Sequence, residues 1–175
     1  MRYFRLHQDE RKESGLVMIG TSDTSGVNAA GQGDLSLLDD LTVMKALTSS
    51  GSLFAELLSR QVFMFKDSVR EVVDLYEPEL AYKNFCIIDS GNRDIHAYYA
   101  APILRVCAAV SPESERPYSL TSKVLLDGTT LEELGEPDIF RLAEPEKHIV
   151  VSLPVAESLL RRKIQGILLT HLEVA

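Results

Sequence analysis

The sequence lacks tryptophan altogether and has only two cysteines, Cys86 and Cys107. The two thiols lie in separate apolar runs, and a disulfide would need an oxidising compartment that nothing else in the sequence indicates. Because free cysteine is among the most buried residue types, we expect both to pack as small reduced hydrophobes. Aromatic residues make up only 7% of the chain, so we expect a core of leucine, valine, isoleucine and alanine.

Long apolar runs are also missing. No segment approaches the roughly 20 apolar residues that cross a bilayer. Residues 1–11 include basic side chains but neither the apolar segment nor the small-residue cleavage site of a secretory signal. We therefore expect a soluble, cytoplasmic protein. The length of 175 residues, with 45% hydrophobic and 25% charged, predicts a single domain over residues 1–175, with room for two lobes.

Positive charge is scarce relative to negative charge. The chain has 26 acidic and 18 basic residues, a formal net charge of −8, and no clustered lysines or arginines. Contacts to a phosphate backbone need such a cluster, so the sequence argues against a nucleic-acid partner. A basic protein partner is compatible with the charge. An acidic surface that only keeps the protein soluble is the simpler explanation.

The apolar pattern predicts two strand–helix–strand units, at residues 62–89 and 149–174. In each unit a short apolar run precedes a serine, Ser68 or Ser152, that we expect to cap an amphipathic helix. A second strand follows each helix, and the polar residues from Asp89 to Asp94 predict a hairpin turn after the first unit. The sequence therefore predicts an α+β fold in which helices pack on a mixed or mainly antiparallel sheet.

The N-terminal part gives a weaker pattern. Residues 1–6 alternate as a short strand, and residues 21–33, rich in serine, threonine, glycine and asparagine, predict a flexible surface loop. The fold of residues 1–34 is therefore the least defined. Apolar residues at intervals of three and four predict a helix over residues 34–47, followed by a short helix over residues 52–58. Further on, strands are predicted over residues 103–110 and 118–126.

No cluster of residues has the types and spacing of a catalytic, cofactor or metal site. The glycine-rich segment 26–33 lacks the Gly-Lys-Ser/Thr ending of a phosphate-binding loop. No histidine has a partner at the spacing of metal ligands, and we expect all four to be structural or exposed: His7, His96, His148 and His171.

Acidic pairs occur at Asp39–Asp40 and Glu132–Glu133, with Glu136 and Asp138 close to the second pair. Neighbouring side chains on a helix point about 100° apart, so neither pair forms an acid–base site by itself. We expect solvated faces, and a patch that contacts a basic partner is the alternative.

Four segments form a pattern when they are taken together and in order: residues 63–69 (FMFKDSV), 103–106 (ILRV) before an acidic loop, 139–142 (IFRL), and 149–152 (IVVS) with a helix and Gly166. This pattern resembles immunity-protein family eleven of bacterial polymorphic-toxin systems, a former domain of unknown function. The resemblance covers roughly residues 35–174. It implies a non-catalytic, cytoplasmic α+β protein that binds and neutralises a cognate toxin encoded nearby. It carries no functional residue onto this chain.

A toxin-neutralising binding protein is thus the leading hypothesis, and charge complementarity would speed its association with a basic toxin. The alternative is a small enzyme whose site is assembled around the hairpin at residues 89–96, with His96 beside Asp89 or Asp94. That hypothesis predicts a concave pocket containing a group with a shifted pKa. A third hypothesis, a homo-oligomeric module, predicts a large apolar self-interface.

Overall fold

The computed structural model describes residues 1–9, 16–21, 24–48, 55–114, 124–143 and 148–175. Within these residues the strands and helices follow one another as β1 (Tyr3–Gln8), β2 (Leu16–Thr21), α1 (Thr24–Gly31), β3 (Leu41–Thr48), β4 (Leu57–Leu58), β5 (Met64–Phe65), α2 (Asp67–Tyr76), β6 (Tyr82–Asp89), β7 (His96–Pro102), β8 (Val106–Cys107), β9 (Leu125–Leu126), α3 (Gly128–Glu133), β10 (Ile139–Leu142), β11 (Ile149–Ser152), α4 (Leu153–Arg161) and β12 (Ile167–Val174).

The chain forms two compact units. The first comprises Met1–Leu6, Leu104–Arg162 and Leu168–Ala175, and the second comprises His7–Ile103 and Lys163–Ile167. Each is built on a six-stranded sheet, with the order β8-β10-β11-β1-β12-β9 in one and β2-β3-β6-β7-β5-β4 in the other. Both sheets contain parallel and antiparallel pairs, which confirms the predicted α+β fold with mixed sheets.

The predicted helix over residues 34–47 is wrong, because residues 41–48 form β3. This strand runs parallel to β6, with Val43 opposite Cys86. Its side chains alternate: Thr42, Met44 and Ala46 are buried, whereas Leu41 and Val43 are exposed. The burial of one face of a sheet therefore prevails over the helical spacing of the leucines.

The predicted flexible loop at residues 21–33 is wrong over Thr24–Gly31, which form α1. Val27 and Ala30 on this helix are buried against Met44 and Phe85 of the sheet. A Cβ atom added at Gly31 would lie 2.5 Å from the carbonyl oxygen of Gln61. This glycine therefore permits a close approach of two backbone segments. The composition of this segment predicted a loop because the helix buries few apolar side chains, among them Val27 and Ala30.

The predicted short helix at residues 52–58 is wrong at Leu57 and Leu58, which form β4, and its residues 52–54 lie outside the described residues. The strand predicted at 62–65 is confirmed at Met64–Phe65 as β5. The strand predicted over residues 103–110 is reduced to Val106–Cys107. That predicted over 118–126 is confirmed at Leu125–Leu126, and residues 118–123 lie outside the described residues.

Both predicted helices of the strand–helix–strand units are present, but neither serine caps its helix through its side chain. Lys66 occupies the N-cap of α2, and the hydroxyl of Ser68 donates a hydrogen bond to Glu56 instead. Ser152 does occupy the N-cap of α4, but its hydroxyl donates to Asp138. In both cases the serine binds the carboxylate that immediately precedes the first strand of a hairpin.

The two strand–helix–strand units are confirmed, and they share one connectivity. In each unit the helix joins two strands that are not neighbours: β7 lies between β5 and β6, and β1 lies between β11 and β12. Each unit also places a short antiparallel strand before the helix, β4 against β5 and β10 against β11. The helices bury equivalent residues, Val69 and Val73 in α2 and Val155 and Leu159 in α4.

Candidate functional site

Among the described residues, helix α2 covers part of the outer face of the second unit's sheet and leaves the rest open. Residues of one parity on three adjacent strands lie on this face, since Val43 is opposite Cys86 and Cys86 is opposite Tyr98. The next row in the register is Lys45, Ile88 and His96. In the first of these rows, the side chains of Val43 and Tyr98 are apolar and well exposed, with 45% of Val43 and 62% of Tyr98 accessible to solvent.

Helix α2 covers the other half of the same face. The guanidinium of Arg70 lies 4.4 Å from the centre of the Tyr82 ring, and the Tyr82 hydroxyl donates a 2.5 Å hydrogen bond to Asp74. Tyr82 shares its face with Cys86 and Ile88 because side chains alternate along a strand. Burial and the hydrogen bond to Asp74 both raise the pKa of Tyr82, so its hydroxyl stays a donor.

We call the part of this face that α2 leaves open the open half-face; it comprises Leu41, Val43, Lys45, Ile88, His96 and Tyr98, with the buried Cys86 between Val43 and Tyr98. The opposite face of these strands forms the core with α1, so the sheet itself is fully supported from behind. Exposed apolar side chains that are adjacent on a rigid sheet are a common feature of protein-binding surfaces. This surface could not be predicted while residues 34–47 were assigned to a helix. The alternation of apolar and polar residues in part of the segment from Leu41 to Ala46 is the signal that could have indicated a strand here.

A cavity of about 270 Å³ lies at one end of the open half-face, lined by Lys45, Ile88, Asp89, Ser90 and Arg93. The predicted hairpin turn, which is confirmed, forms one wall. The Asp89 side chain accepts hydrogen bonds from the amides of Gly91 at 2.7 Å and Asn92 at 3.4 Å. We call this cavity the turn pocket.

The described lining of the turn pocket contains only part of the acid–base group proposed for the alternative enzyme. Asp89 lines the turn pocket, but neither His96 nor Asp94 is among its described lining residues. The ring of His96 instead contacts Tyr98 edge-on, with ring centres 5.6 Å apart. The amide of Asp94 donates to the side chain of Asn92, as expected in a polar turn.

Two of the predicted acidic residues form ion pairs. Asp40 forms a 2.9 Å ion pair with Lys83, and Glu136 lies 3.2 Å from the amino group of Met1. Asp39, Glu132 and Glu133 are exposed, in agreement with the expected solvated faces. Cys86 and Cys107 are free and buried, as predicted, and burial raises the pKa of the Cys107 thiol.

The first unit has a smaller cavity of about 170 Å³, lined by Arg5, Val124, His148, Thr170, His171, Leu172 and Glu173. Two of the predicted histidines meet there, which their spacing in the sequence does not reveal. The ring of His171 packs edge-on against Phe4, with ring centres 5.4 Å apart. Burial lowers the pKa of Arg5, which still carries its charge at neutral pH.

Among the described residues, no group of three histidine, cysteine, aspartate or glutamate side chains is placed to hold a metal ion. No helix in this part of the chain is long and apolar enough to span a membrane. Comparison of the sequence with models of protein families gives no match, and comparison with curated proteins gives no significant match either.

Proposed function

We propose that this protein is a non-catalytic immunity protein that binds and neutralises a cognate bacterial toxin in the cytoplasm. The observation that carries the proposal is the open half-face, where Val43 and Tyr98 are exposed on either side of Cys86, on a sheet whose opposite face packs in the core. Tyrosine is enriched among the residues that dominate binding energy at protein interfaces. A partner surface that covers this face would remove both side chains from water.

The sequence supports the same function in two further ways. The resemblance of residues 35–174 to immunity-protein family eleven implies toxin binding without catalysis. The net charge of −8 would attract a basic toxin over distances of about a Debye length, which is roughly 8 Å at physiological ionic strength. Long-range attraction therefore comes from the whole chain, and short-range contact from the apolar side chains of the open half-face.

The test is growth of a bacterial host that expresses the product of the adjacent gene, with and without this protein, combined with co-purification of the two. We expect toxicity that co-expression relieves and a stable complex. Persistent toxicity without co-purification, or a harmless neighbour, would contradict the proposal.

A matched pair of variants locates the contact. Tyr98→Asp puts a charge into the open half-face, and Leu160→Asp does the same on α4, where the side chain is equally exposed at 62%. We expect Tyr98→Asp to weaken the complex by about 2 kcal/mol or more and to restore toxicity, because it places a charge in an apolar contact. Leu160→Asp should protect as well as the wild type. Equal protection by both variants would rule out the open half-face as the contact.

A further inference from the structure

We infer that the turn pocket binds a small oxyanion, the phosphate or carboxylate group of a small-molecule ligand. This inference does not depend on the proposed toxin binding, although Lys45 and Ile88 belong both to the turn pocket and to the open half-face. It depends on two cationic side chains that line one cavity, on a turn that is held in place, and on the size of the cavity.

The first observation is unpaired positive charge in an acidic protein. Lys45 projects from β3 and Arg93 from the β6–β7 turn, and both line the turn pocket. Some cations elsewhere pair with carboxylates, as Lys83 does with Asp40 and Arg161 does with Glu157. In the part of the chain that the structure describes, no ion pair engages Lys45 or Arg93. Both therefore remain available to an anion.

The carboxylate among the described lining residues, Asp89, is engaged by the turn. Asp89 is only 8% exposed, and its Oδ1 atom accepts from the amides of Gly91 and Asn92, so it serves as a structural anchor of the turn. The lining side chains that the structure describes include two basic residues and one acidic residue, a balance that favours an anion.

The second observation is that the turn is fixed before any ligand binds. The amide and the hydroxyl of Ser90 both donate to the carbonyl oxygen of Ala46, at 2.9 and 2.6 Å. Ala46 follows Lys45 directly, so this pair of bonds ties the turn to the strand that carries the lysine. The amide of Ile95 donates to the carbonyl of Asn92 at 3.0 Å and closes the turn around Arg93. A preformed backbone lowers the entropic cost of binding.

These bonds also define which groups can donate to the anion. Because both donors of Ser90 are used on Ala46, the available donors are the ammonium of Lys45 and the guanidinium of Arg93. A guanidinium can bind two oxygens of one phosphate or carboxylate, and an ammonium adds a point charge. The volume of about 270 Å³ lies just below the usual range of ligand pockets, so a small ligand fits, with Ile88 as its apolar wall.

The experiment is a titration of the full chain with inorganic phosphate and, separately, with acetate, at constant ionic strength, followed by amide chemical shifts. We expect saturable shifts at residues 90–93 and at Lys45 and Ala46. Arg93→Gln and Lys45→Met should each weaken binding by about tenfold or more, since each removes one charge-assisted hydrogen bond. Arg162→Gln, an exposed residue at the end of α4, removes the same charge far along the chain and should leave the affinity unchanged.

Each outcome decides the inference. Tighter binding of phosphate would identify a phosphorylated ligand and tighter binding of acetate a carboxylate ligand, and either supports the site. The absence of saturation at tens of millimolar of both anions would overturn it, as would equal weakening in all three variants, which indicates general charge screening. Should Arg93→Gln disturb the turn before any anion is added, Lys45→Met carries the test, because the Lys45 side chain is exposed and makes no hydrogen bond among the described residues.

Discussion

In the second unit, the strand between the two helix-linked strands is β7, which follows β6 through a tight turn. In the first unit the same place is taken by β1, whose Tyr3 lies opposite Ser152 of β11. One sheet is therefore completed by a local hairpin and the other by a segment from far along the chain. Two similar strand–helix–strand units can therefore have their sheets completed by a strand that is local in sequence or by one that is distant.

Each cavity lies near a pair of parallel strands. The turn pocket is lined by residues of the parallel strands β3 and β6. The smaller cavity is lined by residues of β12 and by Val124, which directly precedes β9, the strand parallel to β12. The cavity of the first unit is lined by two histidines and Arg5, among other residues, whereas the turn pocket is lined by aliphatic, polar and charged side chains. The difference suggests that equivalent places in the two units do not share one function.

The largest effect should come from emptying each core in turn. Phe140 in the first unit and Phe85 in the second are fully buried, at 0% exposure. We expect Phe140→Ala and Phe85→Ala each to cost about 3–5 kcal/mol of unfolding free energy, because a large cavity replaces the ring. Hydrogen exchange read by mass spectrometry should show the greater loss of protection in the mutated unit. Equal loss across both units in either variant would show that they unfold as one.

The next effect separates two glycines. A Cβ at Gly31 would lie 2.5 Å from the carbonyl oxygen of Gln61, and one at Gly128 would lie 2.8 Å from that of Ala175. We expect Gly31→Ala to cost about 3 kcal/mol, since neither backbone segment can move freely. Gly128→Ala should cost about 1 kcal/mol, because its contact of 2.8 Å is longer than the contact of 2.5 Å at Gly31. Chemical denaturation compares them, and a larger loss for Gly128→Ala would contradict this account of the second unit's packing.

Smaller effects are expected at the serines that were predicted to be caps. Ser152 is fully buried and Ser68 half-buried, and each donates to a carboxylate, Asp138 or Glu56. We expect Ser152→Ala to cost about 2 kcal/mol and Ser68→Ala about 1 kcal/mol, as the hydrogen bond to a charged group is lost. A double-mutant cycle with Asp138→Asn should show coupling. Additive effects would mean that Ser152 acts only through the helix terminus.

The smallest effect has opposite signs in the two units. The Tyr3 hydroxyl is buried and makes no hydrogen bond among the described residues, whereas the Tyr82 hydroxyl donates to Asp74. We expect Tyr3→Phe to raise the unfolding free energy at pH 7 by about 1 kcal/mol and Tyr82→Phe to lower it by about as much. Thermal denaturation of both variants provides the measurement, and a change of the same sign in both would contradict the difference in hydrogen bonding.

The burial of Tyr3 also predicts how the stability of the protein responds to alkaline pH. Burial, followed by the charges of Glu136 and Asp138, raises the pKa of Tyr3 to about 12, against about 10 in the unfolded chain. The folded state thus favours the neutral phenol, and the stability this contributes is present below pH 10 and lost as the pH rises from about 10 through 12. Tyr3→Phe should reduce this alkaline loss. An unchanged alkaline profile would show that the unfolding reports other groups.

The sequence allowed the α+β class, both strand–helix–strand units and the β6–β7 hairpin to be predicted, because these depend on local periodicity and on turn residues. The order of strands was beyond it, since nothing local indicates that β1 lies between β11 and β12. Residues 41–48 were wrongly assigned to a helix because the spacing of apolar residues such as Leu38 and Met44 matches a helical repeat. Both side chains are in the core, but Leu38 precedes β3 and Met44 belongs to it. Predicting the open half-face required this strand, and predicting the turn pocket required its register with β6.

The place of β1 in the first sheet has a consequence for biosynthesis. Residues 3–5 leave the ribosome long before residues 150–152, with which they pair. Nearly all of the second unit, residues 7–103, can fold in the meantime, because domains generally fold as they emerge. During that interval β1 presents unpaired backbone groups. Arg2, just before the strand, and Arg5, within it, supply the charge that discourages wrong pairing. Translation rate, and not only sequence, should therefore influence the yield of folded protein.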